Sequence, residues 1–410
     1  MNDHKDNFLK NLTSNGYAVI ISVTSPILIM LIVSKNLGVE EYGRYAASLS
    51  YAWIYIVFSE FGVTMALMHR VSENKIPKEK IEQLISCFIF LRCAQAIFLL
   101  PFYTYFFLKY FGPNYLVLCL TFLLYMGNSL NLAWFFQGKE IARALLKDSM
   151  ISKSSLIFAA CLGFVLNSPI EYYICIQSLS VFLMFALGIG RVKRNQYTIK
   201  PKLDAKLLQG LIKDSFAFYS SRLVVSLYEN SSTFFVSRYL SDVDTGRYAV
   251  LLQLYKGGTA VLGVFSISLL PYVNRTKNYR ILSTTVLILI SLMLIFAPLA
   301  LTLFNIVLGL LLGSSIEIAN NEAKVWYLSL VFFCMGSVLG YPYFIAIKKI
   351  ALGHLSMLIG SAVYLLLVSF YYATESINTS TMAMAIAFSI STTALIRLFA
   401  FIWIEQVRVK

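Results

Sequence analysis

Six ionisable side chains sit where charge is expensive. Arg92, Arg222, Glu229 and Lys256 fall deep inside long apolar runs, and Glu60 and Arg397 lie in the inner halves of two others. At bilayer depth each costs at least ~2.5–3.5 kcal/mol, which marks it as a candidate for chemistry. Arginine offers a planar fork and lysine a point charge, so both compensate an anion. A glutamate can take up a proton or cation, or serve as counterion to a neighbouring arginine. Arg222 and Glu229 are seven residues apart, two turns along one helix face. Arg92 and Arg397 could equally pair with polar groups of a neighbouring helix for structure alone. Lys153 is only one turn into its run and can snorkel to the interface. Tyr228, Asn230, Ser231 and Ser232 flank Glu229, and Asn128, Ser129 and Asn131 interrupt another run. Hydroxyl-rich ligands and interhelical hydrogen bonds are both open readings of these groups.

The elements that position these residues are membrane helices. The 410 residues are 58% hydrophobic and only 13% charged, with a mean hydropathy of +0.72. Soluble domains carry roughly 25% charged residues, so this chain cannot cover a water-facing surface. The apolar runs match the ~20 residues a helix needs to cross ~30 Å of hydrocarbon. They lack two-residue alternation, which excludes a barrel. Twelve spans are expected at about 14–34, 43–68, 83–108, 115–137, 150–167, 171–190, 214–238, 247–272, 281–304, 323–347, 353–374 and 381–404. The polar start and the absence of a small-residue cleavage site predict no cleavable signal peptide. The six cysteines all lie in apolar runs, and with three histidines they show no metal-ligand spacing. No metal, disulfide framework or cofactor is expected.

The net charge of +14 is sorted by side. The first tail, the even-numbered loops and the last tail hold 23 of the 34 Lys and Arg residues. The odd-numbered loops hold six: Lys35, Arg44, Lys109, Arg238, Arg247 and Lys324. The positive-inside rule therefore places both termini in the cytoplasm, and the charge is a topology signal rather than a nucleic-acid footprint. The most basic stretch, 191–213, is a cytoplasmic linker between an N-terminal six-helix lobe, 1–190, and a C-terminal one, 214–410. The longest external loop, about 305–322, contains no arginine, which argues against an enzyme such as a polymerase or glycosyltransferase.

The chain repeats itself. KNLGVEEYGRYA (35–46) and RYLSDVDTGRYA (238–249) share a cation, an acidic turn and Gly-Arg-Tyr-Ala leading into the next run. The offset is 203 residues, and six spans separate the copies, so the halves run parallel about an axis along the membrane normal. Two lobes around a central cleft follow. The Asp242-Val-Asp244 pair could suggest a metal and a nucleotide sugar. Its counterpart, Glu40-Glu41, shows that an acidic turn is sufficient there.

Five segments carry a resemblance: NLGVEEYGRY (36–45), SEFGVTMALMHRVSE (59–73), WFFQGKE (134–140), YENSSTFFVSRYLSDVDTGRYA (228–249) and LLPYVNR (269–275). Together they resemble the polysaccharide repeat-unit (O-antigen, Wzx-type) flippases, within the superfamily of multidrug extruders and lipid II flippases. WFFQGKE is the most specific piece. The resemblance implies an all-α fold of two six-helix lobes in the bacterial inner membrane. It implies translocation of an undecaprenyl-pyrophosphate-linked oligosaccharide to the periplasmic leaflet, coupled to a proton or sodium gradient. A polysaccharide polymerase and a chain-length regulator are the implied protein partners, with membrane lipids around them. On that reading Arg222, Lys256, Arg92 and Arg397 bind substrate, and Glu229 and Glu60 couple the ion. The nearest rival, a multidrug or toxin extruder of the same fold, calls for an acidic cleft, whereas buried cations outnumber buried acids here.

Overall fold

The computed structural model describes residues 2–72, 76–139, 141–198, 207–213, 215, 231–312 and 316–409, and every regular element among them is a helix. Among these residues eight helices are long and apolar enough to cross a membrane, or ten if each of two bent pairs counts as one span. The chain is thus a multi-pass membrane protein. The expected seventh span, 214–238, lies mostly outside the described residues.

The chain forms two compact units, one of residues 44–234 and one of residues 1–43 with 235–410. The first takes in the end of α1 (Asn2–Glu60), then α2 (Val63–Ser72), α3 (Lys78–Phe111), α4 (Tyr115–Ser129), α5 (Ala133–Gly138), α6 (Ala142–Val165) and α7 (Ile170–Arg194). Local signals set the boundaries. Gly112, at φ 76°, closes α3 with its N–H on the Leu108 carbonyl, a conformation that favours glycine. Asn114 then opens α4 by accepting from the Val117 N–H. The core gathers Val63 and Leu67 of α2, Leu84 and Phe88 of α3, and Trp134 and Phe135 of α5. Asp148 of α6, buried in this unit, accepts from Arg191 Nε at 2.6 Å with both oxygens and so clamps α6 to α7.

The second unit holds the start of α1 and a helical run at 231–239 (α8) that crosses from the first unit at 234/235. It continues with α9 (Asp242–Thr276), α10 (Arg280–Ile295), α11 (Ala297–Leu312), α12 (Ile316–Leu339), α13 (Tyr341–Ala346), α14 (Ile350–Ala373) and α15 (Thr379–Val409). α12 packs along α15 and α9, and α14 along α15. Val273, Leu282, Cys334, Val338, Tyr343 and Phe344 fill the core between them. Within the acidic turn of the second repeat copy, Ser241 caps α9 by accepting from the Asp244 N–H at 3.1 Å. Asp244 in turn accepts from the Ser241 hydroxyl at 2.7 Å and pairs with Arg247 at 3.6 Å. The two aspartates sit in the first turn, where the helix dipole favours negative charge. At the same end of this unit, where Tyr248 of α9 meets Trp326 of α12, the buried Glu322 carboxylate accepts from the hydroxyls of Thr379 and Ser380 at the start of α15.

Candidate functional site

Interrupted helices build the site. α1 ends at Glu60, and Phe61 and Gly62 turn the chain through positive φ of 42° and 69° before α2 leaves at a 49° bend. Such a turn takes the carbonyls of Ser59 and Glu60 out of the helical ladder, and a buried carbonyl needs another donor. Arg92 of α3 supplies it. Its Nη1 donates to the Ser59 carbonyl and to Gln95 Oε1, and its Nη2 reaches the Glu60 carbonyl at 3.4 Å. The guanidinium also lies over the Phe88 ring, 5.2 Å from its centroid.

The second break lies between α4 and α5. Leu130 to Leu132 leave the helix, and Asn131 restarts it by accepting from the Ala133 N–H at 2.9 Å. The hydroxyls of Ser59 and Ser129 meet at 3.2 Å and tie the two breaks together. Between them opens a cavity of about 240 Å³. Glu60 and Arg92 line it, with Asn128, Asn131 and Gln137 and the indoles of Trp53 and Trp134. Glu60 Oε1 accepts from Thr64 at 2.8 Å. Asn128 donates its Nδ2 to the Leu124 carbonyl.

The second unit repeats the device with different residues. Gly340 separates α12 from α13, and Arg397 of α15 is buried against that break. Its Nη1 donates to the Gly336 carbonyl at 2.7 Å and its Nε to Ser356 Oγ at 2.9 Å. Its guanidinium lies 5.9 Å from the centre of the Tyr341 ring.

The structure therefore brings Arg92 and Glu60 together at one cavity and places Arg397 in the other unit. Lys256 is partly buried on α9. Arg222 and Glu229, with Tyr228 and Asn230, lie outside the described residues. Ser231 and Ser232 are buried, and Lys153 is partly buried on α6. Sequence reasoning named Asn128, Ser129 and Asn131 but passed over Trp53, Thr64, Trp134 and Gln137. Two of these stood inside WFFQGKE, where the combination of indole and amide was the available signal.

The polysaccharide biosynthesis protein family matches residues 8–277. A relative in Escherichia coli (strain K12), named "Putative O-antigen transporter", is 22% identical over 255 residues, covering 61% of each chain. One of the same name in Shigella dysenteriae is 21% identical over 262 residues, covering 62% of this chain and 64% of its own. The aligned segment thus spans under two thirds of either relative's length. Among solved structures, the lipid II flippase MurJ in an inward closed conformation superposes with a TM-score of 0.72 at 17% identity, over 95% of this chain and 87% of its own. An inward-facing multidrug resistance MATE transporter of the MOP superfamily gives 0.67 at 13%, over 96% of both chains. The fold is the one these transporters share. With a match over most of its length, the chain belongs to the polysaccharide biosynthesis protein family.

Proposed function

We propose that this protein is a flippase that carries undecaprenyl-pyrophosphate-linked oligosaccharide repeat units from the cytoplasmic to the periplasmic leaflet. The observation that carries the reading is the polar cavity between two interrupted membrane helices, in a chain of a polysaccharide biosynthesis family. Irregular backbone is tolerated at membrane depth only where it is buried in protein or lines a wet cavity, and broken helices are where transporters place their sites. The O-antigen transporter name of both relatives supports the substrate class.

In this reading the lipid tail stays in the bilayer while pyrophosphate and sugars cross between two six-helix lobes, 1–190 and 214–410, joined by the basic linker 191–213. Twelve spans put both termini in the cytoplasm and the protein in the inner membrane. Arg222 and Lys256 compensate the pyrophosphate. Arg92 and Arg397 hold the broken helices from which the polar walls of the path are built. Glu229 and Glu60 couple transport to a proton or sodium gradient. Each negative charge leaving a negative interior gains ~2.3 kcal/mol per 100 mV, so the membrane potential assists outward movement.

The test is reconstitution of the full chain in proteoliposomes with a fluorescent undecaprenyl-pyrophosphate oligosaccharide in one leaflet. Protein-dependent equilibration, faster under an imposed gradient, is the expected result. Absence of flipping, with gradient-driven efflux of an organic cation instead, would replace this reading by a multidrug extruder.

A further inference from the structure

The cavity between the two helix breaks has the chemistry of a neutral, hydroxyl-rich ligand, a point that deepens the flippase reading and rests on it. Of its lining residues only Glu60 and Arg92 ionise, one of each sign, so the cavity carries no net formal charge. A phosphate entering it would meet an arginine whose two Nη groups are already on the Ser59 and Glu60 carbonyls, with a carboxylate alongside. An organic cation would meet a glutamate offset by that same arginine.

Uncharged hydrogen bonding is what the walls still offer. Arg92 Nε and Trp134 Nε1 have no partner and lie just behind the cavity wall, out of reach of a water molecule, so a small turn of each side chain is needed to bring its N–H to a ligand. An unused buried N–H carries a desolvation penalty that an acceptor on a ligand would recover. Asn128 keeps its Oδ1 after donating its Nδ2 to Leu124, and the exposed Gln137 adds a second amide. Trp53, 39% exposed, presents an indole at the same cavity. A pyranose matches this set. Its hydroxyl or acetamido oxygens accept from the two N–H groups, its hydroxyls donate to Glu60 and Asn128, and its C–H face covers an indole. A cavity of about 240 Å³ has room for one sugar ring. We infer that this cavity is a saccharide subsite that takes a single neutral pyranose of the transported oligosaccharide, with Arg92 Nε and Trp134 Nε1 as its donors and Trp53 as its stacking face.

The experiment titrates methyl glucoside, methyl N-acetylglucosaminide, inorganic pyrophosphate and tetraphenylphosphonium against the purified full chain, read by saturation-transfer NMR, with flipping of lipid-linked oligosaccharide measured on the same protein. At least one glycoside is expected to bind saturably and to resist displacement by the other two probes. Trp134→Phe, which keeps an aromatic ring but removes the N–H, should weaken it about fivefold. Trp53→Ala, at an exposed position, should weaken it about tenfold. Failure of both glycosides to bind, equal binding by both variants, or displacement by pyrophosphate or the cation would each overturn the subsite, even where lipid-linked oligosaccharide still flips. Glycoside binding with the expected losses, in a protein that flips no lipid-linked oligosaccharide, would uphold the subsite and overturn the flippase reading alone.

Discussion

Gly43 and Gly246 form a reciprocal contact: a Cβ at Gly43 would overlap the backbone carbonyl of Asp242, and a Cβ at Gly246 would overlap that of Val39. The two glycines are 203 residues apart, and so are Val39 and Asp242. The contact is therefore its own image under the internal repeat, like the isologous interface of a dimer written into one chain. It explains why each copy of the acidic turn is followed by a glycine. Only a residue without a side chain lets the two backbones approach this closely.

Gly43→Ala and Gly246→Ala should each destabilise the protein by about 1–3 kcal/mol, because backbone and not a flexible side chain has to give way. Once one substitution has parted the helices, the second meets open space. The double variant should consequently cost clearly less than the sum of the two singles, read as thermal unfolding in detergent. Strict additivity would mean that the two glycines do not share one crossing.

Removing the donor at the first helix break should expose its purpose. Arg92→Met takes the guanidinium donor away from the Ser59 and Glu60 carbonyls, at a cost of about 2–3 kcal/mol. Arg92→Lys restores a charge but not the fork that spans two carbonyls, and should recover only part of that stability. Equal unfolding temperatures for wild type and Arg92→Met would show that water or another donor already serves those carbonyls.

The clamp between α6 and α7 should be asymmetric. Asp148 is 2% exposed and Arg191 27%, and Arg191 lies in the last turn of α7. Arg191→Met strands a buried carboxylate and should cost about 3–5 kcal/mol. Asp148→Asn leaves an arginine that can swing toward the headgroups, so its cost should be about half as large. The order of the two unfolding temperatures checks the argument.

For the transport cycle, Arg222→Ala and Lys256→Ala should each abolish surface polysaccharide in a complementation assay at normal membrane levels, with Arg222→Lys retaining more. Glu229→Gln should slow flipping and flatten its response to the ion gradient. If instead the gradient response persists and Arg222→Ala partly offsets the loss, Glu229 is a counterion to that arginine.

Much of this was legible because a membrane restricts what a sequence can mean. Apolar length gave the helices, and the depth of Arg92, Glu60 and Arg397 singled them out. The breaks were less legible. Asn128, Ser129 and Asn131 hinted at one, yet 115–137 reads as a continuous span because hydropathy averages over a window wider than the interruption. The bend at Phe61-Gly62 rests on two residues with positive φ, and a lone Phe-Gly inside an apolar run carries no strong mark. That Arg92 would spend its Nη groups on backbone carbonyls 32 and 33 residues upstream is a tertiary fact with no local signature. Trp53 and Trp134 looked like ordinary apolar residues until the two breaks brought them to one cavity.

The way the two buried arginines are satisfied also bears on how the chain enters the membrane. Besides Gln95 on its own helix, Arg92 donates to Ser59 and Glu60, and Arg397 donates to Gly336 and Ser356; in both cases these acceptors on other helices precede the arginine in the sequence. During synthesis from the N-terminus, each guanidinium thus reaches the lateral exit of the translocon after its acceptors have passed through it. Neither has to wait alone in lipid for a partner still on the ribosome. A chain rearranged so that α3 was made before α1 would lose that protection and should stall or be degraded at insertion, although its finished fold would contain the same hydrogen bonds.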